Sequence, residues 1–210
     1  MKIKTKKNLE IFLETIPKYE SPKIKLEQYP TPPSIASDIL FTAHLLEDIK
    51  NKRVVDLGCG TGIFSVGAKI LGAKEVIGVD IDETSLLLAK KFAKNSNLKI
   101  RYVKSDVLNF NEKCDTVFQN PPFGCRKRHA DILFLKKAME LGKIIYTIHL
   151  SKTRKYIENF ILNNNGRITH EKNYNLPIKH TFSFHRKEKI EEDISMFRVM
   201  SKLRNSILLV

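Results

Sequence analysis

The sequence predicts an α/β fold: a Rossmann-like, doubly wound, mostly parallel seven-stranded sheet with an antiparallel C-terminal strand. Three observations lead there. Short apolar runs alternate with amphipathic segments from residue 53 to residue 163, the pattern of parallel strands joined by crossover helices. A glycine-rich turn directly follows the first of those runs, where a strand hands over to a helix. Beyond Gly166 the helical period disappears and only strand-like runs remain, which adds antiparallel pairing at the C-terminal side. A length of 210 residues suits one principal domain. It divides into an N-terminal helix and extended lead-in over 1–30 and the main domain over 31–210.

The elements follow in chain order. Leu9, Phe12, Leu13 and Ile16 recur at i, i+3, i+4 and i+7, an amphipathic helix ended by Pro17. Pro22, Pro30, Pro32 and Pro33 mark an extended connection. Thr31 is placed to cap a helix over 32–49 with prolines in its first turn. Arg53 to Leu57 is a short buried strand, followed by a helix over 63–71 with Gly72 beyond its end. A strand over 75–79, a helix over 83–95 and strands over 99–104 and 114–119 come next. Helix 131–141, strand 143–148 and helix 152–163 continue the alternation, and strand-like runs occupy 167–174, 180–186 and 194–200.

Composition excludes several classes. Hydrophobic residues at 42% and charged residues at 29% argue against disorder and fibrous repeats. No apolar run approaches the roughly 18–20 residues of a membrane span, so no membrane crossing is expected. Cys59, Cys114 and Cys125 are odd in number and lack C-x-x-C spacing, which speaks against a disulfide framework or zinc finger. No histidine shows metal-ligand spacing, so no metal site is expected, and His149 and His180 read equally as structural residues. The lysines near the N-terminus precede no apolar run, and Glu10 and Glu14 do not suit a transit peptide, so a cytoplasmic location is expected.

Charge is the unusual entry in the composition: 37 basic against 23 acidic residues, a net +14 and a pI near 9.7. It is unevenly placed. Residues 121–190 hold 15 basic and 5 acidic side chains, net +10, whereas 28–120 are nearly balanced at +1. A concentrated excess of this kind predicts a polyanionic partner docking on one part of the molecule.

Two stretches carry chemistry. The first is Asp56-Leu57-Gly58-Cys59-Gly60-Thr61-Gly62, where glycines at alternate positions let the backbone turn tightly and approach a ligand. Its G-x-G-x-G spacing differs from the G-x-G-x-x-G of a dinucleotide-binding turn. Asp80, 22 residues after Gly58, ends the second strand, where a carboxylate accepts ribose hydroxyl protons. Asp106 ends the third strand, placed to face an adenine edge. The second stretch is Asn120-Pro121-Pro122-Phe123 at the end of the fourth strand. Two prolines fix φ and remove two backbone donors, which leaves carbonyl acceptors beside the Asn120 side-chain oxygen. Such a pair can hold both N–H groups of a planar amine, and Phe123 offers a face for a base extracted from its stack.

Asp56 to Gly62, Asp80 and Asp106 resemble, in order, the cofactor motifs of class I S-adenosylmethionine-dependent methyltransferases. The N-P-P-F tetrad resembles that of amino-methyltransferases acting on adenine N6, cytosine N4, guanine N2 or glutamine N5. Gln28-Tyr29-Pro30-Thr31-Pro32 resembles the Q-Y-x-T-P element of many N6-adenine enzymes. With Asp131, Phe134-Leu135, the block Tyr146 to Arg154, Tyr174 to Pro177 and Phe182 to His185, the chain is similar from about residue 26 to 199 to the archaeal and eukaryotic small-subunit rRNA adenine-N6 methyltransferases. The resemblance implies S-adenosylmethionine held by Gln28, Thr31, Asp56, Gly58, Gly60, Thr61, Gly62, Ile63, Asp80, Ile81, Asp106, Val107 and Asn120, with catalysis at Asn120, Pro121, Pro122 and Phe123. It implies RNA phosphate contacts from Arg126, Lys127, Arg128, Lys179, His180, His185, Arg186 and Lys187, and heterodimerisation with a small zinc-binding activator protein. Guanine N2, protein glutamine N5 and a non-catalytic RNA-binding role stand as alternatives.

Overall fold

The computed structural model describes residues 3, 5–19, 22–23, 26–124, 129–179 and 189–202, with the backbone alone at 177–179 and 189–190. The helices are α1 (Lys6–Leu13), α2 (Pro33–Leu45), α3 (Ile63–Ile70), α4 (Glu83–Asn95), α5 (Ala130–Leu141) and α6 (Arg154–Asn163). The strands are β1 (Arg53–Leu57), β2 (Glu75–Asp80), β3 (Arg101–Lys104), β4 (Cys114–Gln119), β5 (Gly142–Leu150), β6 (Gly166–Lys179) and β7 (Lys189–Ser201).

All seven strands form one sheet in the order β3-β2-β1-β4-β5-β7-β6. The first five are mutually parallel, while β7 runs antiparallel to both β5 and β6. The chain leaves β3 at one edge and returns to the middle as β4, so the winding direction reverses between β1 and β4. At such a reversal the two flanking loops part and leave a crevice at the carboxyl ends of the strands. This topology puts the glycine turn after β1 beside the N-P-P-F segment after β4.

Both sheet faces are covered, which is why β1 and β2 read as continuous apolar runs. On one face α1, α2 and α3 pack over Val54, Phe118, Tyr146 and Ile148. Phe64, Phe118 and Tyr146 stack there with centroids 5.5 and 5.0 Å apart. On the other face α5 and α6 cover Val55, Ile77, Val117, Ile145 and Phe197. Leu9, Leu13 and Ile16 of the N-terminal segment belong to the first of these cores.

Two expectations about α2 differ from the structure. The helix ends at Leu45 rather than near residue 49. Asp48 N donates to Ala43 O (2.9 Å), Glu47 N donates to His44 O (3.1 Å), and Glu47 takes φ +59°, a Schellman ending built without glycine. Asp48 is fixed there because Arg198 of β7 grips its carboxylate (Nε 2.7 Å, Nη2 3.0 Å) and Tyr146 donates to it (2.6 Å). Thr31 is not the α2 cap. Pro32 occupies that position without a side-chain bond, and the Thr31 hydroxyl is engaged elsewhere. At the C-terminus the runs 167–174 and 194–200 are parts of longer strands of 14 and 13 residues. The predicted strand 180–186 lies outside the described residues.

Candidate active site

A cavity of about 750 Å³ opens at the carboxyl ends of β1, β2 and β4, beneath a roof formed by the segment between α1 and α2. Gln28, Thr31, Asp56, Gly58, Thr61 and Ile63 line it, as do Asp80, Ile81, Asp106, Val107 and Asn120. The size falls within the range of small-molecule pockets.

The glycine turn is shaped by its neighbours. Gly58 has φ +68°, and a Cβ there would stand 3.1 Å from the Phe134 ring; Gly60 has φ +53°, and a Cβ there would collide with the Tyr19 hydroxyl. Asp56 does not face the cavity with a free carboxylate. Its Oδ2 accepts from Ser65 N (2.8 Å) and Ser65 Oγ (2.7 Å), which satisfies the first turn of α3, whose cap residue Gly62 has no side chain to do so. Burial pushes the Asp56 carboxyl up to about 7, against the hydrogen bonds from Ser65, and the nearby Asp80 adds to the rise. Asp80 accepts from Gly60 N at Oδ2 and from Asp82 N at Oδ1, both at 2.8 Å. Burial raises its pKa too, the two backbone donors working against the shift. Cys59 is buried among these carboxylates, and burial with Asp56 and Asp80 holds its thiol well above the ordinary range, so it stays protonated. Asp106 caps the 3-10 turn Val107–Asn109 by accepting from Leu108 N (2.9 Å).

The roof is fastened by Asp82. Its carboxylate takes Gln28 Nε2 (2.8 Å) and Ser85 Oγ (2.6 Å) at Oδ2, and Lys23 Nζ at Oδ1. Although burial opposes ionisation, hydrogen bonds from Lys23, Ser85 and Gln28 outweigh it and hold the Asp82 carboxyl well below the usual range. Gln28 also accepts from Lys23 N (2.7 Å). Its amide therefore ties the lead-in to the start of α4 while its side chain lines the cavity.

The opposite end of the cavity differs. Asn120 Nδ2 donates to Thr31 Oγ1 (2.9 Å), while Asn120 Oδ1 is buried and has no hydrogen-bond partner among the described residues. The Thr31 bond holds the Asn120 amide in place. The site thus holds a neutral, oriented and unused acceptor at the end of β4. An unsatisfied buried acceptor carries a cost of about 1–3 kcal/mol, and a ligand N–H removes it.

Known proteins resemble this chain in sequence and fold. Residues 34–141 match the family described as Methyltransferase small domain. The rRNA N(6)-adenosine-methyltransferase METTL5 of Danio rerio is 36% identical over 204 residues, 91% of this chain and 97% of that protein. The Drosophila melanogaster counterpart is 34% identical over 207 residues, 92% of this chain and 96% of that one. The chain belongs to the METTL5 family. A crystal structure of PH1948 from Pyrococcus horikoshii superposes with a TM-score of 0.88 at 38% identity, covering 95% of this chain and 98% of that one.

In this METTL5-family chain the expected site residues are only partly brought together. Gly60 and Gly62 shape the turn without lining the cavity, and of the tetrad Asn120 and Pro122 line it. Phe123 is half-buried and packs on the α1–α3 core. Arg126, Lys127, Arg128, His180, His185, Arg186 and Lys187 lie outside the described residues, as does the side chain of Lys179. Sequence reasoning missed Tyr19, whose phenol covers Gly60. Burial, reinforced by Asp80, raises its pKa and keeps it a neutral donor. Its only sequence signal was an aromatic residue in a Pro-rich connection. Phe134 also lines the cavity against Gly58, and Tyr102 fills the space beside Gly62 and Gly78. Among the described residues no group of three or more His, Cys, Asp or Glu is arranged to hold a metal, and no helix is long and apolar enough to cross a membrane.

Proposed function

We propose that this METTL5-family chain transfers a methyl group from S-adenosylmethionine to the N6 amine of an adenine in small-subunit ribosomal RNA. The observation that carries the reading is the unpartnered Oδ1 of Asn120, held in orientation by Thr31. The N6 amine is planar and presents two N–H groups. Asn120 Oδ1 accepts one, and a backbone carbonyl of the Pro121–Pro122 segment accepts the other, which leaves the nitrogen lone pair free to attack. No general base is needed, because the product nitrogen loses its extra proton to solvent after transfer. Catalysis is positioning and electrostatics.

The cavity residues suit the methyl donor. Asp80 stands where ribose hydroxyls are accepted, Asp106 and Val107 where an adenine edge is read, and the Gly58–Gly62 turn where a ligand must come close to backbone. S-adenosylmethionine supplies, when bound, the electrophilic sulfonium methyl group. Substrate phosphates are met by Arg126, Lys127, Arg128, Lys179, His180, His185, Arg186 and Lys187, in keeping with the net +10 of residues 121–190. The reading includes a cytoplasmic location, with which the buried free thiols of Cys59 and Cys114 agree. It also includes a small zinc-binding activator partner. Co-expression with such a protein and gel filtration test the partner.

The decisive experiment for the activity incubates the protein with labelled S-adenosylmethionine and small-subunit rRNA and identifies the labelled nucleoside. N6-methyladenosine is expected. Label in N2-methylguanosine, in protein glutamine, or nowhere would overturn the assignment.

A further inference from the structure

A row of buried polar side chains interrupts the apolar sheet face beneath α5. Gln119, the last residue of β4, donates from Nε2 to Thr147 Oγ1 (2.9 Å). The same hydroxyl stands 2.7 Å from His149 Nε2. His149 Nδ1 lies 3.5 Å from Asp131 Oδ2, in the first turn of α5. Gln119, Thr147 and His149 are at most 1% exposed and Asp131 is 8% exposed. The Asp131 carboxyl facing Nδ1 favours the tautomer with the imidazole proton on that nitrogen, and in that tautomer Thr147 donates to Nε2 while accepting from Gln119. Burial lowers the His149 pKa despite Asp131, which agrees with a neutral ring.

Stability alone does not account for this row. The same face is otherwise built from Val117, Ile145, Leu135 and Phe197, and apolar side chains would pack there without desolvating polar groups. Nor is the row saturated, because among the described residues Gln119 Oε1 has no hydrogen-bond partner and His149 Nδ1 meets Asp131 only at 3.5 Å. Its two ends are the informative part. Gln119 immediately precedes Asn120, and Asp131 immediately follows the start of α5. Between them runs the β4–α5 connection, the ten residues 120–129, where such connections usually take about 2–6.

We propose that Gln119, Thr147, His149 and Asp131 form a buried clasp that fixes both ends of the catalytic loop, with Thr147 as its central positioning residue. Gln119 at the loop's entry is hydrogen-bonded to Thr147 and Asp131 at its exit stands 3.5 Å from His149, so the β5 pair acts as a fixed bar between the two ends. This rests on the reading of Asn120–Phe123 as catalytic given above, and concerns what holds that segment in place.

The test compares Thr147→Val, which keeps the shape and loses the hydroxyl, with Thr147→Ser, which keeps the hydroxyl. Amide hydrogen exchange is followed over 120–131, with cofactor affinity and single-turnover methylation of rRNA measured on the same samples. Thr147→Val is expected to speed exchange in the loop by about tenfold or more and to slow single turnover by about 10–100-fold. Its cofactor Kd stays within about twofold, and Thr147→Ser restores both loop protection and rate. Asp131→Asn, at the less buried end, gives the same pair of effects at smaller size and serves if Thr147→Val does not fold. A lowered Tm with parent-like loop exchange and parent-like turnover in Thr147→Val, or in Asp131→Asn in its place, makes the row a stability element only and overturns the proposal. Exchange is read without substrate, so a parent that fails to methylate rRNA defeats the proposed function and leaves exchange to decide the clasp.

Discussion

The two ends of the cavity are built on opposite rules. At the ends of β1 and β2 the acceptors are carboxylates already engaged with the protein: Asp56 with Ser65, Asp80 with Gly60 N and Asp82 N, Asp82 with Lys23, Gln28 and Ser85. At the end of β4 the acceptor is a neutral amide oxygen with no partner. The difference teaches a division of labour. The carboxylate end is assembled by internal bonds, and in the proposed function it keeps its shape for the cofactor. In the same proposal the amide end holds its bonding capacity for the N–H donors of the substrate amine. Charge follows the same division, since a carboxylate beside the acceptor nitrogen would favour protonation of that nitrogen and remove the lone pair the reaction needs.

Substitutions can break each side of this comparison separately. Short of replacing Asn120 itself, the largest effect is expected at the engaged end. Asp80→Ala removes the acceptor that holds Gly60 and Asp82, and is predicted to weaken cofactor binding by about 10–100-fold and to lower stability by about 1–3 kcal/mol, measured by calorimetric titration and thermal unfolding. Thr31→Val comes next. It removes the only described bond that orients the Asn120 amide, so single turnover is expected to fall by about tenfold with cofactor affinity nearly unchanged, and Thr31→Ser to recover it. A drop in cofactor affinity that matches the drop in rate would merge the two ends into one.

The pH dependence of stability tests the engaged end as well. The folded pKa of Asp56, about 7, lies above its ordinary 3.8, so between about pH 4 and pH 7 the folded state retains a proton that the unfolded state has released. The contribution of this group to stability is therefore full below about pH 4 and lost as pH rises through 7. Asp56→Asn lacks that loss, and its Tm relative to the parent is predicted to rise steadily over the same window. A constant difference in Tm would mean that Asp56 is already ionised throughout.

Much of the fold was legible because its signals are local. The β-α alternation, the glycines with positive φ after β1, and the Pro-Pro pair after β4 each declare a backbone geometry that few other residues supply. The ending of α2 was not legible, because its left-handed residue is Glu47 rather than glycine, and the next residue, Asp48, is held by a tertiary ion pair with Arg198 of β7. Thr31 had the right position for a cap, and only the fold shows that its hydroxyl belongs to Asn120, 89 residues away. The start of α4 at residue 83 was legible, and Asp82 caps that helix through Thr84 N (3.2 Å). Its second task, tying down Lys23 and Gln28, depends on a roof that no local pattern announces. Tyr19 and the Gln119–Asp131 row share that property: their partners are brought together by the winding of the sheet.

The most direct test of the division is Asn120→Ala, measured for cofactor affinity and for single-turnover methylation of small-subunit rRNA on the same preparation. The predicted result is a rate lowered by about 10²–10³-fold with cofactor Kd within about threefold of the parent and N6-methyladenosine as the parent's product. A rate that survives the substitution, or one that falls only as cofactor affinity falls, would contradict the assignment of the open acceptor to the substrate amine.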